Sequence, residues 1–201
     1  MKILIASNNL HKVKEFKEIL SEFQDIELIT PKDLGINIEP DENGNSFEEN
    51  SKIKCFEFYK ESKIPVVADD SGLEIDVLDK QPGIYSSRFA GLNASDKDNR
   101  IKVLQLLDKV KAERKIARFR CVISFYDGQD INFFDGSVEG KIIDEERGSN
   151  GFGYDPIFIP NNYTQTFAEL DENIKNKISH RANALKKFSD FLKNKFKHGR
   201  N

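Results

Sequence analysis

Lys2 to Ala6 form a short, mostly apolar run that breaks off into Ser7-Asn8-Asn9. From there Val13, Phe16, Ile19, Leu20 and Phe23 recur at helical spacing, and Asp25 to Thr30 read as a returning strand. A buried strand, an amphipathic helix and a second strand in that order form a βαβ unit. Such a unit needs parallel strands with helices on the sheet faces, which places the chain among α/β folds.

The pattern changes further on. Residues 31–45 are rich in Pro, Gly, Asn and Asp and read as a loop. Ser46 and Glu49 have the spacing of a capping box and open a helix through about Tyr59. Pro65 to Asp69 read as a strand that ends at two carboxylates, with Ser71 to Leu78 as a second extended piece. Residues 80–95 are a loop, and Asp96 to Val110 an amphipathic helix. Ala117, Phe119, Cys121, Ile123 and Phe125 alternate with mostly polar neighbours, the period of a strand. Asp127-Gly128 predicts a tight hairpin into residues 129–136, and residues 137–143 a further strand. A glycine-rich loop then enters Pro156 to Ile159, and Ser179 to Phe196 form a last helix, with a frayed basic tail over 193–201. A βαβ unit followed by an antiparallel meander predicts a mixed central sheet flanked by helices.

Bulk properties narrow the function. The 201 residues suffice for a real core, and no apolar stretch approaches the ~18 residues of a spanning helix. A net charge of −3 gives no global attraction to nucleic acid or membrane, so an anionic ligand must be gripped locally. A strand that starts within two residues of Met1 leaves no room for a signal peptide, and two cysteines without a histidine cluster suit a reducing compartment. The expected location is cytoplasmic. Cys55 and Cys121 read as small buried hydrophobes.

Five stretches can carry chemistry, and each has a plainer reading. Ser7, Asn8 and Asn9 cap a helix whose N-terminus, with Lys12, suits a phosphate; an ordinary capped helix would look the same. Asp69 and Asp70 sit where a strand meets the crevice of an α/β sheet. Hard carboxylate oxygens there favour Mg²⁺, although a polar turn is an equal alternative. The acidic loop around Asp41 could add a carboxylate or be a solvated turn. Gly148, Gly151 and Gly153 surround Phe152, which could stack on a flat ring, and Asp155, which could bond that ring's edge; a glycine-rich hairpin with a core phenylalanine would also fit. Lys175, Lys177, His180 and Arg181 offer cationic donors at the start of the last helix, or a charged helix end. Together the set describes a nucleoside triphosphate and its magnesium.

At this point the chain resembles the inosine triphosphate pyrophosphatases, which hydrolyse non-standard purine triphosphates. The motifs are SNNLHKVKE, FEENSKIK, ADDSGLEID, PGIYSSRFAG, GFGYDPIF and NIKNKISHRANAL, in order over nearly the whole chain. The resemblance implies an elongated, two-lobed single domain over 1–201, with a strongly twisted sheet and the nucleotide cleft between the lobes. It implies that water attacks the α-phosphorus of ITP, dITP or XTP, releasing a nucleoside monophosphate and pyrophosphate. Ser7, Asn8, Asn9, Leu10, His11 and Lys12 would hold the triphosphate. Asp70 would be general base and Mg²⁺ ligand, with Asp41 as second ligand, or Glu42 or Glu39 in its place, and Ser71 on substrate. Phe152, Gly153, Tyr154 and Asp155 would frame the base, and Lys175, His180 and Arg181 would also bind the nucleotide. A homodimer is implied, with no nucleic-acid or membrane partner. Two departures stand out: Asp41 occupies a position where the family often has Glu, and Asn8 and His11 stand where small residues or glycine are common.

Overall fold

The computed structural model describes residues 1–111 and 113–198, with side chains through Lys195. In chain order the elements are β1 (Lys2–Ile5), α1 (Leu10–Ile19), β2 (Glu27–Ile29), α2 (Phe47–Ser62), β3 (Val66–Ile75), α3 (Asp96–Lys109), β4 (Ile116–Tyr126), β5 (Ile131–Ile142), β6 (Phe158–Pro160), α4 (Glu172–Ile178) and α5 (His180–His198). The strands form one six-stranded sheet in the order β2-β1-β3-β4-β5-β6. β1 pairs in parallel with both β2 and β3, whereas β5 and β6 are antiparallel. The expected mixed α/β sheet is therefore present.

By packing, the chain divides into two compact units. The first comprises residues 1–70, 121–136 and the chain from Arg181; the second comprises 71–120 and 137–180. In the first unit, strand alternation sends Ile3, Ile5 and Val67 to one face. There they join Val13 and Phe16 of α1 and Ala184, Leu185, Phe188 and Leu192 of α5. Leu4, Ala6, Val66 and Ala68 point the other way, onto Cys55 and Phe58 of α2. Strands buried on both faces need apolar residues at every position, which is why these runs do not alternate. In the second unit Leu73, Ile75, Ala117, Phe119, Ile142 and Phe158 pack with Val103 and Leu107 of α3. Both cysteines are buried and free, as small hydrophobes.

Three elements differ from expectation. β3 does not stop at Asp69 but runs unbroken through Asp70, Ser71 and Gly72 to Ile75. β5 is one strand of twelve residues rather than two, running through Asp135-Gly136. It is flanked by β4 and β6 on its two edges, and such lateral pairing overrides a local turn signal. A short separate helix, α4, precedes α5. The Ser46 cap holds, since its Oγ accepts from the Glu49 N–H at 3.1 Å, but Glu49 Oε2 reaches back to Asn45 N rather than to Ser46. Of the stretch expected to fray, Lys193 and Lys195 are helical and pair with Glu22 and Asp127. Residues 199–201 lie outside the described residues. No described helix is long and apolar enough to cross a membrane.

Candidate active site

Asp69 and Asp70 are both buried, and strand alternation separates them. Successive side chains of β3 point to opposite faces. Asp69 shares the face of Val67 and looks toward α1 and α5. Asp70 shares the face of Ala68 and looks toward α2. No cation shared between them is needed, because each face supplies its own partner.

On the first face, Asp69 Oδ2 accepts from Lys12 Nζ at 2.9 Å and from Arg181 Nε at 3.2 Å. Arg181 Nη1 donates to Glu15 Oε2 at 2.5 Å, and Arg181 is 1% exposed. Burial alone would raise the Asp69 carboxyl, but Lys12, Arg181 and Lys54 outweigh it and hold the group well below the usual carboxylate range. Lys12 and Glu15 lie three apart on α1 and therefore on one helix side. Their helix is capped by Asn9, whose Oδ1 accepts from His11 N at 2.9 Å and Lys12 N at 3.3 Å, while Ser7 Oγ accepts from Asn9 N at 3.2 Å. Asn8, Asn9, Leu10 and His11 are exposed around this N-terminus.

On the second face, Asp70 Oδ2 accepts from Asn50 Nδ2 at 3.1 Å, and Asn50 Oδ1 accepts from Gly44 N at 2.9 Å. Asn50 thus ties the acidic loop to the strand. Lys54 Nζ lies 2.9 Å from Glu42 Oε1, 2.9 Å from the Asp69 carbonyl oxygen and 3.7 Å from Asp70 Oδ1. Burial pushes the Asp70 carboxyl above its ordinary value; Lys54 opposes this and Glu42 adds to it. Burial would likewise lower the Lys54 ammonium, but Asp70, Glu42 and Asp69 keep it above an ordinary lysine. The structure brings Glu42, not Asp41, to Lys54; Asp41 is exposed and lines a separate opening with Glu39, Glu57 and Glu61.

The second unit holds the other expected residues. Lys175 and Asp155 are buried and paired at 2.5 Å. The same Asp155 oxygen accepts from Phe152 N at 2.8 Å, and the Lys175 ammonium sits 4.7 Å from the centre of the half-buried Phe152 ring. Tyr154 is buried and its hydroxyl donates to Ser86 O at 2.8 Å. His180 lies flat on Phe119, centroids 4.9 Å apart. Ser71 is half-buried in β3.

Glu15, Asn50 and Lys54 were missed as site residues, while Glu42 was one of the alternatives left open beside Asp41. Glu15, Asn50 and Lys54 stand inside the quoted motifs, but polar residues on amphipathic helices read as solvated until a strand carboxylate faces them. Among the described residues no three His, Cys, Asp or Glu side chains gather to hold a metal on their own.

The model of the Ham1 family matches residues 3–191. A dITP/XTP pyrophosphatase of Bacillus licheniformis is 47% identical over 191 residues, covering 94% of this chain and 97% of that protein. One from Bacillus subtilis is 46% identical over 190 residues, covering 94% and 96%. The solved Ham1 protein of Staphylococcus aureus superposes with a TM-score of 0.88 at 41% identity, covering 97% of this chain and all of that one. That of Coxiella burnetii gives 0.89 at 40% identity, covering 96% and 99%. The family read from the sequence motifs is borne out, and the chain belongs to the Ham1 family.

Proposed function

We propose that this protein is a Mg²⁺-dependent pyrophosphatase of non-standard purine nucleoside triphosphates, cleaving ITP, dITP and XTP to the monophosphate and pyrophosphate. The reading is supported by near full-length relatives named dITP/XTP pyrophosphatase. The observation that carries it is the separation of two buried carboxylates onto opposite faces of β3, Asp69 held below the usual carboxylate range by Lys12 and Arg181 and Asp70 raised above it by burial beside Lys54 and Asn50.

Asp69, with Lys12 and Arg181 on a single oxygen, is structural: a carboxylate held this low takes no proton near neutral pH. Its role is to fix Lys12 beside the exposed N-terminus of α1. The positive end of the α1 dipole at Ser7 to Lys12, together with the Lys12 charge, then attracts phosphate oxygens. Asp70 is the general base. Burial makes it more basic than a surface carboxylate, which suits proton removal from a water aimed at the α-phosphorus. Lys54 is a fixed donor beside it, and Ser71 follows on the same strand as a substrate contact.

The donor set fits a magnesium ion. Asp70 and Glu42 are two carboxylates drawn to one lysine, and Mg²⁺ typically takes one or two carboxylates and completes its shell with water and phosphate oxygens. Asp70 and Glu42 would hold it, Glu42 being one of the alternatives to Asp41 that the sequence left open. When bound, it would offset negative charge on the phosphates.

Base recognition falls to residues of the second unit. Phe152 offers a ring for stacking, and its loop is held by Asp155 and Lys175. His180 is fixed by Phe119. Fixed donors favour a 6-oxo purine, because adenine's 6-amino group would leave a buried donor unpaired at about 1–3 kcal/mol. Removal of such triphosphates keeps them out of DNA and RNA, and the cytoplasmic homodimer implied by the resemblance belongs to the same proposal.

The test is product identity from ITP, XTP, dITP, GTP and ATP, with and without Mg²⁺. Pyrophosphate plus IMP or XMP, dependent on Mg²⁺ and favouring the non-standard bases, supports the reading. Orthophosphate plus a diphosphate would move the attack to the γ-phosphorus and overturn it.

A further inference from the structure

Phe152 stands between two glycines with left-handed backbone, Gly151 at φ 75° and Gly153 at φ 60°. Glycine tolerates many conformations there, so local preference does not set the direction of the Phe152 ring. Hydrogen bonds on both sides do. The Phe152 N–H goes to Asp155 within the loop. The next N–H, of Gly153, donates to Asp96 Oδ2 at 2.7 Å, and the Gly153 carbonyl accepts from Arg100 Nη1 at 2.7 Å. The two peptide groups after Phe152 are therefore gripped from outside the loop.

Both gripping residues lie on α3, four apart and so on one helix side. Their support is rigid. Ser95 and Asp98 close a capping box at the start of α3, and Val103 and Leu107 anchor the helix in the core of the second unit. Arg100 Nη2 is held in turn by Glu146 Oε2 at 3.0 Å. Asp96 itself is exposed.

We propose that Asp96 and Arg100 are positioning residues for the purine-stacking face: they hold the Phe152–Gly153–Tyr154 backbone so that the Phe152 ring is already oriented when a nucleotide arrives. The inference rests on the stacking role proposed above. Neither residue touches substrate. Each acts by removing a conformational cost that the ligand would otherwise bear on binding.

The experiment compares Asp96→Ala, Asp96→Asn, Arg100→Met, Phe152→Ala and the double variant Asp96→Ala/Phe152→Ala with the wild type. The readouts are kcat and KM for XTP and dITP with Mg²⁺, together with Tm. Asp96→Ala and Arg100→Met should each raise KM about tenfold, the worth of one such hydrogen bond, with kcat within about threefold of wild type. Asp96→Asn keeps an acceptor oxygen and should recover most of the loss. In the Phe152→Ala background, adding Asp96→Ala should change KM less than about twofold, because no ring remains to be positioned. A purely structural staple would instead lower Tm and leave KM alone, or raise KM equally in both backgrounds, and either result overturns the inference. An active wild type with unchanged KM in Asp96→Ala overturns it alone. A wild type that releases no pyrophosphate overturns the substrate reading and this inference together.

Discussion

Glu15 and Arg181 are 166 positions apart in the chain and meet at 2.5 Å with both side chains buried. The pair ties α1 to α5 directly behind Asp69. Deleting one member of a buried pair leaves an under-compensated charge, which costs about 3–5 kcal/mol. Glu15→Ala should lose stability on that scale, read as a lower urea midpoint at unchanged m-value. A loss under about 1 kcal/mol would mean that Asp69 balances Arg181 without help.

Asp69→Asn and Asp70→Asn should part company, although they alter neighbouring residues in the same way. Asp69→Asn removes the carboxylate that faces Lys12 and Arg181 and should lower Tm markedly. Asp70→Asn removes a charge that burial disfavours, so its Tm without Mg²⁺ should hold or rise. Its turnover should fall at least ~10²-fold, as for loss of a general base. Near-normal turnover in Asp70→Asn would reassign the base.

This division was not legible from ADDSG itself. A polar cluster after Val66-Val67-Ala68 reads as a strand end, and two adjacent carboxylates read as one repulsive site. The strand continues because each carboxylate finds partners on its own face, and for Asp69 those partners, Lys12 and Arg181, lie 57 and 112 residues away along the chain. The βαβ opening, α3 and β4 were legible because their periodicity is set by which side is buried. The continuity of β5 through Asp135-Gly136 was not, since it depends on strands on both edges. Lys12, Asp70, Phe152, Asp155 and Lys175 could be named from motifs. The choice among Asp41, Glu42 and Glu39 could not be made there, because loop geometry decides which of these neighbouring acids turns toward Lys54.

Gly72 tests whether that stretch of β3 has any slack. A Cβ at Gly72 would meet the Gly83 carbonyl oxygen at 2.2 Å and Ser86 Oγ at 2.5 Å. Ser86 Oγ is already committed, donating to Gly83 O and accepting from Leu73 N. Overpacking against backbone typically costs about 1–3 kcal/mol, so Gly72→Ala should lower Tm by several degrees. An unchanged Tm would show that residues 83–86 can retreat.

The end of α5 is held by charge, and acid should release it. Asp127 follows β4; its Oδ1 accepts from the Gln129 and Asp130 N–H groups, and its Oδ2 faces Lys195. Burial would raise its carboxyl, but Lys195 and the two N–H groups win and bring it down to about 2, against 3.8 for a free aspartate. A folded value below the unfolded one stabilises the fold at pH above the unfolded value. The contribution fades as pH falls from about 4 to about 2, because the unfolded chain takes up the proton first. The Tm gap between wild type and Asp127→Asn should therefore be constant above pH 5 and close across that acid window. Added salt should shrink the part due to the half-exposed Lys195 and spare the part due to the backbone donors. A gap that stays constant down to pH 2 would show that the carboxylate charge plays no part in holding the turn.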